Sequence, residues 1–260
     1  MVRTQISRRS FMQLVGGAVA SAYTIGHTTQ AQSEVISRPD RAGNPYRWVG
    51  MYTVGNRIGC GFLIEEGFVL TAAHCLFYPP SRITDQSSEA ITFYPATSGL
   101  ALSRSSKPYG GFRVTNCLLC PEWREIWEGY RGSMPSSGYS QYDWAILKLA
   151  RSPGMGHFEL GGDIAVGDHV SVSGYPNGVS PNNTQQTHSG TIRHLTQNQV
   201  MVSGFIGREW GGMSGGPLFC RQRNGRWGAV GVHSCAETAN GCSYHSRVND
   251  YVLRALRSSP

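Results

Sequence analysis

Gly212-Met213-Ser214-Gly215-Gly216-Pro217 sets a serine in a tight, glycine-rich turn that can also present backbone N–H donors. Upstream stand Thr71-Ala72-Ala73-His74-Cys75 and Asp143-Trp144-Ala145-Ile146-Leu147. Read in chain order, the three stretches supply a base, an orienting carboxylate and a nucleophile. Other folds that assemble the same three groups run in other chain orders, so the sequence His, Asp, Ser is itself informative.

The surroundings of these stretches point to an all-β protein. The chain has 260 residues, 33 of them glycine, and only 15% charged residues, with almost no helix-favouring charged runs. Strand patterns appear at 47–52, 59–64, 68–71, 90–94, 111–119 and 144–149, and again at 169–174, 190–194, 200–202, 217–220 and 227–233. Residues 72–76 read as a helical turn carrying His74, and 121–139 as a long aromatic loop. Arg151-Ser152-Pro153-Gly154 is the best linker between two groups of short strands, and Asn224-Gly225 marks a hairpin. Asn249 or Asp250 could cap a C-terminal helix with Val252, Leu253 and Leu256 on its apolar face. Two groups of short strands without alternating long helices favour two small barrels over an α/β sheet. His74 and Asp143 fall in the first (46–153) and Ser214 in the second (154–260), so the site would lie in the cleft between them.

Residues 1–31 read as a targeting segment. Arg3, Arg8 and Arg9 precede the small-residue stretch 14–25, no acid appears before Glu34, and Thr29-Gln30-Ala31 offers a cleavage site. Ser7-Arg8-Arg9-Ser10-Phe11-Met12 resembles a twin-arginine export signal, which implies a secreted or periplasmic protein. Residues 32–45 read as an N-terminal arm or propeptide. Losing 1–31 would remove three arginines and lower the formal charge from +7 to +4. The remaining basic residues are scattered, with no basic stripe interleaved with aromatics, so nucleic acid is not an expected partner. No apolar run of ~20 residues follows, so stable membrane insertion is not expected either. The expected state is a monomer acting on a protein or peptide.

Cysteines in an exported chain favour disulfides. The seven are Cys60, Cys75, Cys117, Cys120, Cys220, Cys235 and Cys242. Cys60–Cys75 would staple adjacent strands beside His74, Cys235–Cys242 would close a short loop, and Cys117–Cys120 a very small one, leaving Cys220 over. Cys117-Leu118-Leu119-Cys120 has zinc-knuckle spacing but lacks a matching second pair, so no metal or other cofactor is expected.

Taken singly, Ser214 reads as a turn residue, His74 as a hydrogen-bonded histidine and Asp143 as a strand or turn cap. Together they define a candidate triad. Asp143 would hold the His74 imidazole in one tautomer, His74 would take the Ser214 proton, and the N–H groups of Gly212 and Ser214 would form an oxyanion hole. The three stretches resemble those of the trypsin-like serine proteases, and Cys60 and Cys75 match that family's disulfide beside the catalytic histidine. Ser173-Gly174-Tyr175-Pro176, Gly190-Thr191-Ile192 and Val230-Gly231-Val232-His233 are similar to the bacterial branch that includes the glutamyl endopeptidases. The resemblance covers residues 46–257. It implies two packed six-stranded antiparallel Greek-key β-barrels with a short C-terminal helix, and peptide hydrolysis through an acyl-enzyme. Met213 stands where many animal members carry an activating aspartate, and it cannot form that ion pair.

The resemblance also places 208–210 and 230–235 along the primary specificity pocket. Arg208 occupies the position of the trypsin aspartate, and His233 matches the histidine with which glutamyl endopeptidases bind acidic side chains. Cleavage after Glu or Asp is the expectation, while Glu209 could pair with Arg208 and cancel its attraction. His245 and Ser246 occupy a pocket wall where relatives often place glycine. The alternatives are an endopeptidase of broad or small-apolar preference and a noncatalytic binding protein on the same fold.

Overall fold

Side-chain alternation builds the walls of this molecule. In the strand Thr92–Pro95, Phe93 and Pro95 are buried while Thr92 and Tyr94 are half-buried, the period of two that puts one strand face inside. The computed structural model describes residues 33–35, 38–54, 57–78, 81–82, 91–98, 106–128, 136–176, 184–204, 211–237 and 240–258. The segment 1–31, Arg208 and Glu209 lie outside the described residues.

Strand β1 (Ser33–Val35) and helix α1 (Arg38–Ala42) come first. Then follow β2 (Val49–Val54), β3 (Arg57–Glu65), β4 (Phe68–Thr71), the pair β5 (Phe77–Tyr78) and β6 (Ser81–Arg82), β7 (Thr92–Pro95) and β8 (Phe112–Leu119). Helices α2 (Pro121–Glu128) and α3 (Ser136–Tyr139) lead into β9 (Ala145–Leu149). The second half contains β10 (Glu159–Leu160), β11 (His169–Gly174), β12 (Gln186–Leu195) and β13 (Gln199–Ser203). It closes with β14 (Pro217–Arg221), β15 (Trp227–Glu237), β16 (Cys242–Arg247) and helix α4 (Asp250–Arg257).

Two antiparallel barrels of six strands result. The first closes in the order β2-β3-β4-β9-β8-β7, and the second in the order β11-β12-β13-β16-β15-β14. Each therefore repeats one Greek-key order of first, second, third, sixth, fifth and fourth strand. Strand β10 adds in parallel to β15, and β1 adds antiparallel to β12 through Ser33–His188 and Val35–Gln186. The all-β, two-barrel expectation holds, as does the C-terminal helix. Asn249 is its cap, accepting from the N–H groups of Tyr251 and Val252.

One apolar cluster joins the barrels, and a second lies inside the second barrel. Phe158, between them in sequence and fully buried, meets Trp48 and Phe62 of the first half at ring distances of 5.2 and 5.6 Å. It meets Phe219 of the second at 5.5 Å. Tyr175 donates its hydroxyl to Val49 O, and Gln185 Nε2 donates to Tyr46 O. The two barrels are thus stitched by buried polar contacts as well as rings.

Three sequence expectations are corrected. The stretch 121–139 is not one long loop: α2 begins with Pro121 at its first position and Glu122 in its first turn, both favourable there, and it buries Trp123. Strand β12 begins at Gln186, four residues before the apolar pattern, because Gln186, Thr187 and His188 are polar yet buried. No disulfide forms: none of the seven cysteines, Cys220 included, is bonded to another. The Cys60 thiol donates to Gly212 O at 2.8 Å, whereas Cys75 Sγ lies 3.6 Å from His74 Nε2. Cys235 stands opposite Tyr244 in the ladder and Cys242 opposite Glu237, so those two are out of register. The Cys120 thiol donates to Glu122 Oε2 at 3.2 Å.

Candidate active site

His74 lies on a single 3-10 turn, Ala73–Cys75, that follows β4 directly. Asp143 follows a second such turn, Ser140–Tyr142, just before β9. Since β4 and β9 pair, with Thr71 opposite Ala145, the two turns emerge side by side at one end of the first barrel. There Asp143 Oδ2 sits 2.6 Å from His74 Nδ1, and Oδ1 accepts the His74 backbone N–H at 2.8 Å. Held by both oxygens, the carboxylate fixes ring and backbone together. It is wholly buried, while the histidine side chain is 24% exposed. Burial draws the imidazole's proton affinity down, but the adjacent Asp143 carboxylate outweighs it and holds the His74 pKa well above its ordinary value.

The second barrel grips the same carboxylate. Ser234 of β15 donates its hydroxyl to Asp143 Oδ2 at 2.5 Å. Gln199 Nε2 donates to Ser140 Oγ at 2.6 Å, and Ser246 Oγ to Gln141 O at 3.2 Å, so β13 and β16 hold the turn that carries Asp143.

Ser214 enters from the loop before β14. Its glycines have separate reasons. Gly212 has φ 93°, in the left-handed region that a side chain would strain. A Cβ on Gly215 would run into Cys60 O and Thr71 Oγ1 of the first barrel, and one on Gly216 into Ser173 O of β11. The turn is therefore wedged between barrels, with Cys60 N–H donating to Ser214 O at 3.0 Å. Met213 is buried in the second barrel's core, so this position serves packing. The Ser214 hydroxyl donates to Ser234 O at 3.5 Å and makes no hydrogen bond to His74 among the described residues.

His233 lies on β15 immediately behind this turn. Its N–H donates to Gly216 O and its carbonyl accepts from Gly215 N–H, each at 2.8 Å. The ring packs against His245 with centroids 5.1 Å apart, and Nδ1 has no hydrogen-bond partner among the described residues. Burial, with the charge of His74 adding to it, pushes the His233 pKa down to about 4, so the ring is neutral near pH 7. Burial also lowers His245, whose Nε2 is 2.8 Å from Ser243 Oγ.

A profile of the trypsin-like peptidase domain matches residues 59–232, which include His74, Asp143 and Ser214. The chain belongs to the trypsin-like peptidase domain family. A relative in Bacillus subtilis, named an extracellular metalloprotease, is 27% identical over 211 residues, covering 76% of this chain and 57% of that protein. The chain thus spans a little over half the length of that relative. Among the described residues no group of three or more His, Cys, Asp and Glu side chains is arranged to hold a metal ion. A solved structure of a Glu endopeptidase in complex with MPD superposes with TM-score 0.65 at 18% identity, covering 88% of this chain and 96% of that one. At that identity the likeness is one of fold.

Within this trypsin-like frame the structure gathers His74, Asp143, Ser214, Gly212 and His233 at the junction of the barrels. Cys60 and Cys75 stand at the same junction without being bonded to each other. Sequence reading missed Ser234, which adjoins His233 on a strand with no local mark of its role. It also missed Trp123, whose buried ring lies 6.4 Å from the His74 ring and whose Nε1 donates to Phe77 O at 3.0 Å.

Proposed function

We propose that this trypsin-like protein is a serine endopeptidase working through an acyl-enzyme. The observation that carries the reading is the 2.6 Å contact between His74 Nδ1 and Asp143 Oδ2, because it leaves Nε2 as the basic nitrogen. In the reaction, Ser214 Oγ turns from the Ser234 carbonyl toward Nε2, gives up its proton and attacks the scissile carbonyl. Catalytic hydrogen bonds of this kind are commonly long or misaligned before substrate arrives. The N–H groups of Gly212 and Ser214 receive the developing oxyanion, each worth roughly 3–4 kcal/mol of barrier. His74 then protonates the leaving amine, and water repeats the sequence to free the acid.

Within this reading the substrate residue is Glu or Asp, recognised by a hydrogen bond from the neutral His233 ring, with Arg208 as the cationic group. The support is a buried imidazole behind the nucleophile turn whose Nδ1 has no partner among the described residues. A second reading, broad or small-apolar preference, draws on the same ring: held neutral, it offers hydrogen bonding without charge. Export by the twin-arginine route belongs to the proposal as well, supported by the Arg8-Arg9 motif and by a relative named extracellular.

The test is a serine-reactive phosphonate together with the cleavage map of a denatured protein mixture. Labelling in the native chain and none in Ser214→Ala is expected, with cuts mainly after Glu and Asp. Labelling that persists in Ser214→Ala sinks the nucleophile assignment. Dominant cuts after small apolar residues select the second reading, and cuts after Lys or Arg reject both.

A further inference from the structure

The two turns that carry His74 and Asp143 are each three residues long and have no ladder of their own. Their geometry must be held from outside. One holder comes from the C-terminal helix, far from Ser214 in sequence. The Tyr251 ring stands edge-on to Trp144, the residue after Asp143, with centroids 5.6 Å apart and planes at 85°. Its hydroxyl donates to Glu122 Oε2 at 2.8 Å. Glu122 lies in the first turn of α2 immediately before Trp123, whose wholly buried ring lies beside His74. The same Oε2 accepts the Cys120 thiol at 3.2 Å, and Cys120 N–H donates to Trp144 O at 3.1 Å. Glu122, Cys120, Trp144 and Tyr251 therefore close a small circuit whose neighbours in sequence are Asp143 on one side and Trp123 on the other.

We propose that the Tyr251–Glu122 hydrogen bond is a positioning device for the His74–Asp143 pair, by which helix α4 sets the catalytic geometry. The proposal rests on the serine-endopeptidase reading and adds residues to it that touch neither substrate nor the reacting atoms. A charged acceptor makes the bond a strong one. Misplacing a catalytic base by a fraction of an ångström is costly because reacting atoms must meet within a narrow range. Loss of the bond frees the first turn of α2, and with it the indole against which His74 packs.

The experiment is steady-state hydrolysis of one peptide substrate by the full chain and by Tyr251→Phe, Glu122→Ala, Glu122→Gln and the Tyr251→Phe/Glu122→Ala double variant. Phenylalanine keeps the ring against Trp144 and removes only the hydroxyl; glutamine keeps an acceptor oxygen. Tyr251→Phe and Glu122→Ala are each expected to lower kcat by roughly tenfold with KM nearly unchanged. The double variant is expected to lose no more than the worse single one, and Glu122→Gln to keep most of the rate. Unchanged kcat, losses confined to KM, additive losses or a Glu122→Gln variant as slow as Glu122→Ala each overturn the proposal. Should Glu122→Ala fail to fold, Tyr251→Phe against Glu122→Gln decides between the same outcomes. Failure of the endopeptidase reading is visible separately, as a native chain that neither hydrolyses peptide nor takes the phosphonate at Ser214.

Discussion

His74 illustrates how one residue can pull stability and activity in opposite directions. Its pKa in the folded chain stands above the ordinary histidine value near 6.5 because the Asp143 carboxylate outweighs burial. The stabilisation from the charged pair is therefore fully present below about pH 6.5 and fades as pH rises through the raised value. On the proposed reading His74 is the general base and must be neutral to act, so hydrolysis is expected to increase across that same range. Thermal melts and kcat/KM profiles check both halves: the melting advantage of the native chain over His74→Ala should shrink with rising pH while its rate climbs. An advantage that grows with pH contradicts the assignment. At this scale the sequence was most legible in marked local settings, as with His74 and Asp143, which the fold brings to 2.6 Å. Ser234 carries no such mark, because what selects it is an acid 91 positions away that arrives only on folding. The cysteines were misread because a count of sulfurs says nothing about where each thiol points.

Among the elements, α4 was foreseen from its cap and apolar face, yet its importance was not, since its partners lie in another part of the chain. Asn249 accepts from two N–H groups at the helix start while its amide donates to Gln197 O and Asn198 Oδ1. Asn249→Ala removes both sets, and a loss of about 1–2 kcal/mol in urea unfolding is expected. Asn249→Asp keeps the cap and gives up only the donor, so its loss should be smaller; equal losses would assign the effect to the Gln197 and Asn198 contacts. Helix α2 shows the converse failure. Its Gly- and Ser-rich continuation made the whole stretch 121–139 look like loop, while Pro121 and Glu122 were already favourable helix-start residues. Strand β12 escaped in part because apolar alternation is blind to buried polar side chains such as Gln186 and His188.

Over the whole molecule, the site belongs to neither barrel alone: His74 and Asp143 come from one, and Ser214, Ser234 and His233 from the other. The cluster that joins them makes separation expensive, since Phe158 packs against aromatic rings of both halves. Residues 46–153 and 154–258 expressed as two chains are accordingly expected to give little cooperative melting apart, and to recover hydrolysis only when refolded together. Two independent sharp transitions would show that the halves are autonomous. The repeated strand order was legible only as two groups of short strands, because the pairing of first with fourth strand is a long-range event. Strand β12 runs for ten residues, and β13 reaches only its later part, from Thr191 to Leu195. Along Gln186–His188 one margin would stand open, and β1 lies along it. An uncovered margin of this kind is a template on which further chains can stack. Trimming the chain beyond Val35 should therefore cost the protein its resistance to self-association at high concentration, well before it costs the fold.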